Sequence, residues 1–301
     1  MRSCCLGVKA LKVTVNFHES FQNTYFKFRR HNTALCEKYF PFPLRWLTLL
    51  AAHKVALAIA ATLVMLYSFQ GYYPEFIWFL SNALPPLVAG AAVISSGVSL
   101  QKYWRNSKER FSKVWLFFTV GLFLWFLGES VWMGYTLILN VETPYPSVAD
   151  AFRLIGYLPM FLALYLYVRI FSLVLSKKLA ATSLTITALM TIFVSMALMN
   201  PVLGSGEDLT TMVVDFAYPL LDILLFSVSL LGLLIFLKGT MGKSWFLINA
   251  AIFSCVIGHM LFSYTTLQGT YYSGHLLELF FHFGYIFFLL SFPVHVEELE
   301  I

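Results

Sequence analysis

Charge is in short supply in this sequence: 12% of its 301 residues are Asp, Glu, Lys or Arg, against about 25% in an ordinary soluble domain. The shortage excludes a conventional water-solvated fold. Cysteine is scarce too. Cys4, Cys5, Cys36 and Cys255 form no CxxC pair and suggest no pairing, so no disulfide framework is expected. Reduced thiols are the plain reading. Acylation of Cys4-Cys5 beside the membrane is the alternative, although no apolar stretch precedes them as a lipoprotein signal requires. The compact apolar core of a secretory signal peptide is missing from the N-terminus. HExxH, GxSxG and P-loop motifs are absent, and no Ser/Lys dyad falls in an apolar run. The last two apolar runs hold no deep lysine, which excludes a retinal Schiff base. Lys54, near one end of the first run, is placed to snorkel.

What the sequence does have is length in its apolar runs, with 59% hydrophobic and 18% aromatic residues. A span needs roughly 20 apolar residues to cross about 30 Å of hydrocarbon. Eight stretches qualify: 47–69, 76–100, 114–139, 152–172, 179–200, 214–237, 244–267 and 276–296. The fold class is therefore all-α, a polytopic membrane helix bundle with no room for an independent soluble domain. Residues 1–45 read as a basic, partly disordered or interfacial cytoplasmic segment, in which Lys27, Arg29 and Arg30 interleave with Phe26 and Phe28. That mixture suits an anionic membrane surface better than nucleic acid. A mis-assigned start codon would also produce it.

Basic residues set the expected orientation. Lys102, Arg105, Lys108, Arg110 and Lys113 lie in the second loop, Lys177 and Lys178 in the fourth, Lys238 and Lys243 in the sixth. Those loops share a side with the basic N-terminus. The opposite loops hold Arg153 beside Glu75, Glu142, Glu207 and Asp208. Both termini are expected in the cytoplasm of a multi-pass cell-membrane protein.

The two halves resemble each other at a nearly fixed offset. Pro86 pairs with Pro219, 133 residues on, and Gly128-Glu129 with Gly258-His259. Asp150-x5-Gly156-Tyr157 pairs with Glu278-x5-Gly284-Tyr285 at an offset of 128. We expect a 4+4 parallel repeat, with four-helix units at 46–172 and 173–301.

Ionisable residues within spans cost roughly 2.5–3.5 kcal/mol each at the bilayer centre and should face protein or water. Helical spacing groups them into faces: His275, Glu278 and His282; Asp215, Pro219 and Asp222; Asp150, Arg153 and Tyr157. A structural role is open to several. Asp150 and Glu278 suit first-turn positions, Ser147-x-x-Asp150 resembles a capping box, and Asp150 can pair with Arg153. Glu129, Asp222 and His282 lie too deep to cap, which leaves interhelical hydrogen bonds. The functional reading is an outward-facing polar cavity lined by Glu129, Tyr157, His259, Glu278, His282 and Tyr285, with Asp150, Asp215 and Asp222 as further ligand-binding candidates. No cofactor is expected. Metal binding through His275 and His282 with Glu278 is a weaker alternative, since positions i and i+7 stand roughly 10 Å apart. A b-type haem between His259 and His282 is weaker still.

At the third-to-fourth connection the chain reads Pro144-Tyr145-Pro146-Ser147-Val148-Ala149-Asp150, then Gly156-Tyr157-Leu158-Pro159. Asp215-Phe216-Ala217-Tyr218-Pro219-Leu220-Leu221-Asp222 and Gly269-Thr270-Tyr271-Tyr272-Ser273-Gly274-His275 follow. In this order they resemble the PSxAD, GYP-like, DxxYPLLD-like and GxYxxGxxxD-like stretches of the multi-span sensor region found ahead of prokaryotic diguanylate cyclases and histidine kinases. The resemblance covers roughly residues 75–295. It implies an input module. The chain departs from the pattern at His259, where an acid is common, at Pro159, two residues after Tyr157, and in stopping at Glu297-Glu298-Leu299-Glu300-Ile301 with no output domain expected. The leading expectation is a sensory or ligand-binding module acting through a separate cytoplasmic signalling protein, with the bilayer and a second copy of the chain (a homodimer) as other partners and no nucleic acid. The alternatives are an ion-coupled or small-molecule transporter, with helix breaks at Pro86 and Pro219, and an intramembrane enzyme acting on lipid or quinone through Glu129 and His259.

Overall fold

The computed structural model describes residues 42–105, 109–141, 143–170, 176–199, 208–236 and 242–300. The expected interfacial segment therefore falls almost wholly outside the described residues, as do Cys4, Cys5, Cys36, Lys108, Glu142, Glu207 and Lys238.

Among the described residues there are eight α-helices and no strand. We number them α1 (Phe42–Ser68), α2 (Pro74–Arg105), α3 (Glu109–Met133), α4 (Val148–Ile170), α5 (Lys177–Val194), α6 (Leu209–Phe236), α7 (Gly242–Leu267) and α8 (Glu278–Glu300). Seven of them, α2 to α8, are long and apolar enough to cross a membrane, and α1 adds the apolar stretch Lys54–Ser68. By compactness, Ala56–Glu298 form one unit, and Met1–Val55 with Leu299–Ile301 another. Everything below concerns the first.

Helix starts follow local chemistry. Pro74 opens α2, where its missing N–H costs nothing. Ser176 caps α5 by accepting from Leu179 N at 3.2 Å. At α4, Ser147 N donates to Asp150 at 2.8 Å, the return half of a capping box. Helices overrun the hydropathy boundaries because hydrogen bonding continues past the apolar stretch, so Asp215 lies in the second turn of α6 rather than at its start. One expected face needs correction: His275 precedes α8, in the turn ending at Leu277. Its imidazole accepts from Leu277 N at 3.2 Å, so it shares no helix face with Glu278 and His282. Helical spacing places it there only if the helix has already begun, but the carbonyls of His275, Leu276 and Leu277 accept from amides three residues on, turn spacing rather than the four of an α-helix.

Burial ranks the helices. The span of α8 is 61% buried and that of α5 11%, so α8 runs through the protein interior and α5 lies at its margin. Large apolar side chains such as Leu57, Ile94, Leu184 and Phe193 are exposed. That outward apolar coat suits lipid, not water. Inside, Leu63 and Tyr67 of α1, Ile77 of α2 and Leu279 and Ile286 of α8 form one cluster. Val194 and Leu198 pack with Ile223 of α6 in another. Two glycines allow close helix approach. A Cβ on Gly156 would lie 3.2 Å from Gly121 O across the α3–α4 contact, and one on Gly284 would lie 3.3 Å from Ala251 O across α7–α8.

Candidate functional site

One end of the bundle carries the α3–α4 and α7–α8 connections, and both line a vestibule of about 380 Å³. Trp132, Tyr145, Phe262 and Tyr271 form its floor and also the rim of a smaller chamber of about 80 Å³. Glu129 of α3, Asp150 and Arg153 of α4, His259 of α7, and Glu278 and His282 of α8 line this chamber. Deeper, a crevice of about 10 Å³ adds Tyr157 and Tyr285 to Glu129, Arg153 and His259. Of the candidates read from the sequence, Asp215 and Asp222 line neither chamber nor crevice. Each instead holds a residue that does. Tyr145 donates to Asp215, and Tyr157 donates to Asp222 at 2.6 Å.

Each carboxylate has neighbours from other helices. Arg153 Nη2 donates to Glu129 at 3.1 Å, and the Tyr285 hydroxyl donates to the other Glu129 oxygen at 2.9 Å. The Arg153 guanidinium reaches Asp150 only at 3.8 Å and lies 5.3 Å over the Trp132 ring. The i, i+3 partner suggested by the sequence is thus the weaker of its two ion pairs. Asp150 further accepts from Ser147 Oγ at 2.9 Å and Tyr218 at 2.9 Å. Asp222 lies 3.1 Å from His259 Nδ1. Carboxylates only accept, so Nδ1 carries the hydrogen there. Glu278 accepts from Tyr271 at 3.0 Å, Gly274 N at 2.9 Å and Tyr67 at 3.2 Å. Gly274 reaches this position through its φ of +98°, and a side chain there would strike Ile77. His282 is fully buried. Its Nε2 lies 2.8 Å from the Tyr67 hydroxyl, and its Nδ1 has no hydrogen-bond partner among the described residues.

Two rim tyrosines lie outside the spans. Burial, and then the bond to Asp215, push the Tyr145 hydroxyl far above the ordinary phenol range. Burial followed by the Glu278 charge does the same for Tyr271. Both therefore remain donors at neutral pH.

The chemistry available is hydrogen bonding and charge recognition. Glu129 and His259 share the chamber wall, but their bonds go to different partners: Arg153 and Tyr285 for the first, Asp222 and Tyr157 for the second. No group of three or more His, Cys, Asp or Glu among the described residues is placed to hold a metal ion.

Sequence inspection missed several groups. Tyr67 looked like an ordinary span aromatic, and Tyr218 and Tyr271 stood in motif stretches without a site role, yet their hydroxyls satisfy Glu278 and Asp150. At the opposite end, His295 is fully buried, with Tyr103 2.8 Å from Nδ1 and Tyr167 2.7 Å from Nε2. The Trp115 ring lies 4.3 Å from its centre. A histidine within an apolar run was the available signal. Glu298 closes that end by accepting from Ser244 Oγ, at 2.5 Å, and from Lys243 N at 3.0 Å.

No family model, characterised protein or solved structure matches this chain.

Proposed function

We propose that the protein is a membrane-embedded ligand-binding sensor that admits a small polar molecule to the chamber and signals to a separate cytoplasmic protein. The observation that carries this reading is convergence. Side chains from α3, α4, α7 and α8 meet at one small polar chamber beneath a wider vestibule. Placing polar groups at membrane depth is costly, and their shared orientation toward one space is how binding sites in helical membrane proteins are built.

The distribution of basic residues supports an extracellular vestibule, with both termini in the cytoplasm. The resemblance to multi-span input regions supports sensing. The paired motifs support a 4+4 repeat, and two cross-contacts are consistent with it. Tyr157 lies 3.1 Å from His259 while Tyr285 bonds Glu129, so each half's tyrosine meets the other half's polar residue. A ligand wedged between the halves would shift their packing, which is the requirement for signalling by population shift. A carrier reading draws less support, because α2 runs unbroken through Pro85 and Pro86, and α6 through Pro219.

Site-specific photo-crosslinking from Lys102 and Lys113 in intact cells tests the proposal. It should yield an adduct with one cytoplasmic signalling protein, and its yield should change when Ser263→Phe, at a position lining the chamber, fills that space. No adduct, or a yield indifferent to the chamber, overturns the sensor reading.

A further inference from the structure

The charge on the chamber wall is unevenly matched. Arg153 serves Glu129 and, more distantly, Asp150. His259 serves Asp222. Glu278 has no cationic partner among the described residues; Tyr67, Tyr271 and Gly274 N, which donate to it, are all neutral. His282, one turn further along α8, also lines the chamber; it is fully buried, and its Nδ1 has no hydrogen-bond partner among the described residues.

Hydrogen assignment shows what Nδ1 requires. An ionised Glu278 can only accept, so the single Tyr67 hydroxyl hydrogen goes to its carboxylate at 3.2 Å. The Tyr67 oxygen then accepts from His282 Nε2–H at 2.8 Å. In that tautomer Nδ1 is a bare lone pair, an acceptor awaiting a donor. A buried acceptor with no donor is costly, so the group that belongs beside it is a hydrogen-bond donor. The wall around the pair is aromatic: Phe262, Tyr271 and Phe281 also line the chamber. Ring faces attract cations, most strongly where water is excluded. A volume of about 80 Å³ limits the occupant to a few heavy atoms.

We propose that the chamber binds a small organic ammonium ion, its N–H groups donating to His282 Nδ1 and its charge meeting Glu278. This deepens the ligand-binding reading above and rests on it. The same geometry argues against a carboxylate ligand, which would set a second negative charge beside Glu278.

The test is thermal unfolding of the purified full-length protein in lipid nanodiscs, titrated with ethylammonium chloride, acetamide or sodium acetate at matched ionic strength. Ethylammonium should raise the midpoint saturably, while acetamide and acetate should follow the sodium chloride control. Glu278→Gln and His282→Phe should each raise the half-saturating ethylammonium concentration by about tenfold or more, the loss of one charge-assisted hydrogen bond. Ser263→Phe, which leaves every named partner in place, should abolish the response and serves if either other variant fails to fold. Saturation by acetamide or acetate instead would overturn the cation assignment and leave ligand binding standing. An ethylammonium response unchanged in Ser263→Phe would overturn the assignment by placing the ion elsewhere. No response to ethylammonium would also overturn it, while the crosslinking result judges the sensor reading separately.

Discussion

Gly156→Ala is a one-methyl change whose consequence can be worked out from the α3–α4 contact. A Cβ at this position would sit 2.5 Å from Trp125 Cδ1, 2.8 Å from its Nε1 and 3.2 Å from Gly121 O. Carbon atoms rest about 3.5–4.0 Å apart, so something must move by about 1–1.5 Å. Trp125 is poorly placed to yield, because it is buried and its Nε1 donates to Arg153 O at 3.1 Å. Swinging the ring away forfeits that bond, about 0.5–1.5 kcal/mol. Keeping it forces α4 outward, and overpacking of this kind costs about 1–3 kcal/mol. Tyr157 is the next residue, so the second route also stretches its 2.6 Å bond to Asp222.

Gly97→Ala is the matched control. Nothing lies within 4 Å of the added atom, and replacing a mid-helix glycine should stabilise by about 0.5–1 kcal/mol. Gly156 is mid-helix as well and shares that gain, so equilibrium unfolding in mixed micelles should separate the two variants by the clash alone, about 1–3 kcal/mol, with Gly156→Ala the less stable. Trp125→Leu should relieve Gly156→Ala with a coupling energy of at least about 0.5 kcal/mol. Equal stability of the two alanine variants, or strict additivity in the double variant, would refute the steric reasoning.

Two further outcomes follow from the ion pair and from the start of α6. Arg153→Met strands Glu129 with Tyr285 as its remaining bonded donor; with side chains 17% and 13% exposed, partial screening reduces the loss to about 2–3 kcal/mol. Adding Glu129→Gln should recover part of that loss in a double-mutant unfolding cycle, and no recovery would deny the pair its role. Asp208 caps α6 by accepting from Thr210 N and Thr211 Oγ1. Chiefly the Thr211 bond holds its carboxyl below the ordinary range. A depressed pKa stabilises above the unfolded value and loses its effect as pH falls through the folded one. Asp208→Asn should accordingly flatten the acid limb of the stability–pH curve, and an unchanged limb would exclude the cap as its source.

Much of the architecture was readable without coordinates. Spans of adequate length appear as runs of apolar residues because hydrocarbon thickness sets a minimum length, and every hydropathy run after the first coincides with a helix long enough to cross. The polar candidates stood out because charge is costly in lipid. Ser147-x-x-Asp150 was legible as a cap because capping is local in sequence. The start of α8 was not. Helical periodicity assigned His275 to a face that begins only at Glu278, because residues 275–277 form turns.

What the linear pattern determined, then, was which residues are too polar for lipid and, wherever a helix is continuous, which of them share a face. Tertiary structure alone decided which face meets which. A period of 3.6 residues orders side chains around one helix and says nothing of that helix's rotation relative to its neighbours. So Arg153 meets Glu129 across α3–α4 at closer range than Asp150 one turn away. Glu278 draws its donors from Tyr67 and Tyr271, 211 and 7 residues distant in the chain. The unpartnered nitrogen of His282 is likewise a product of packing, because only the assembled bundle removes water from a side chain and settles which of its two ring nitrogens finds a neighbour.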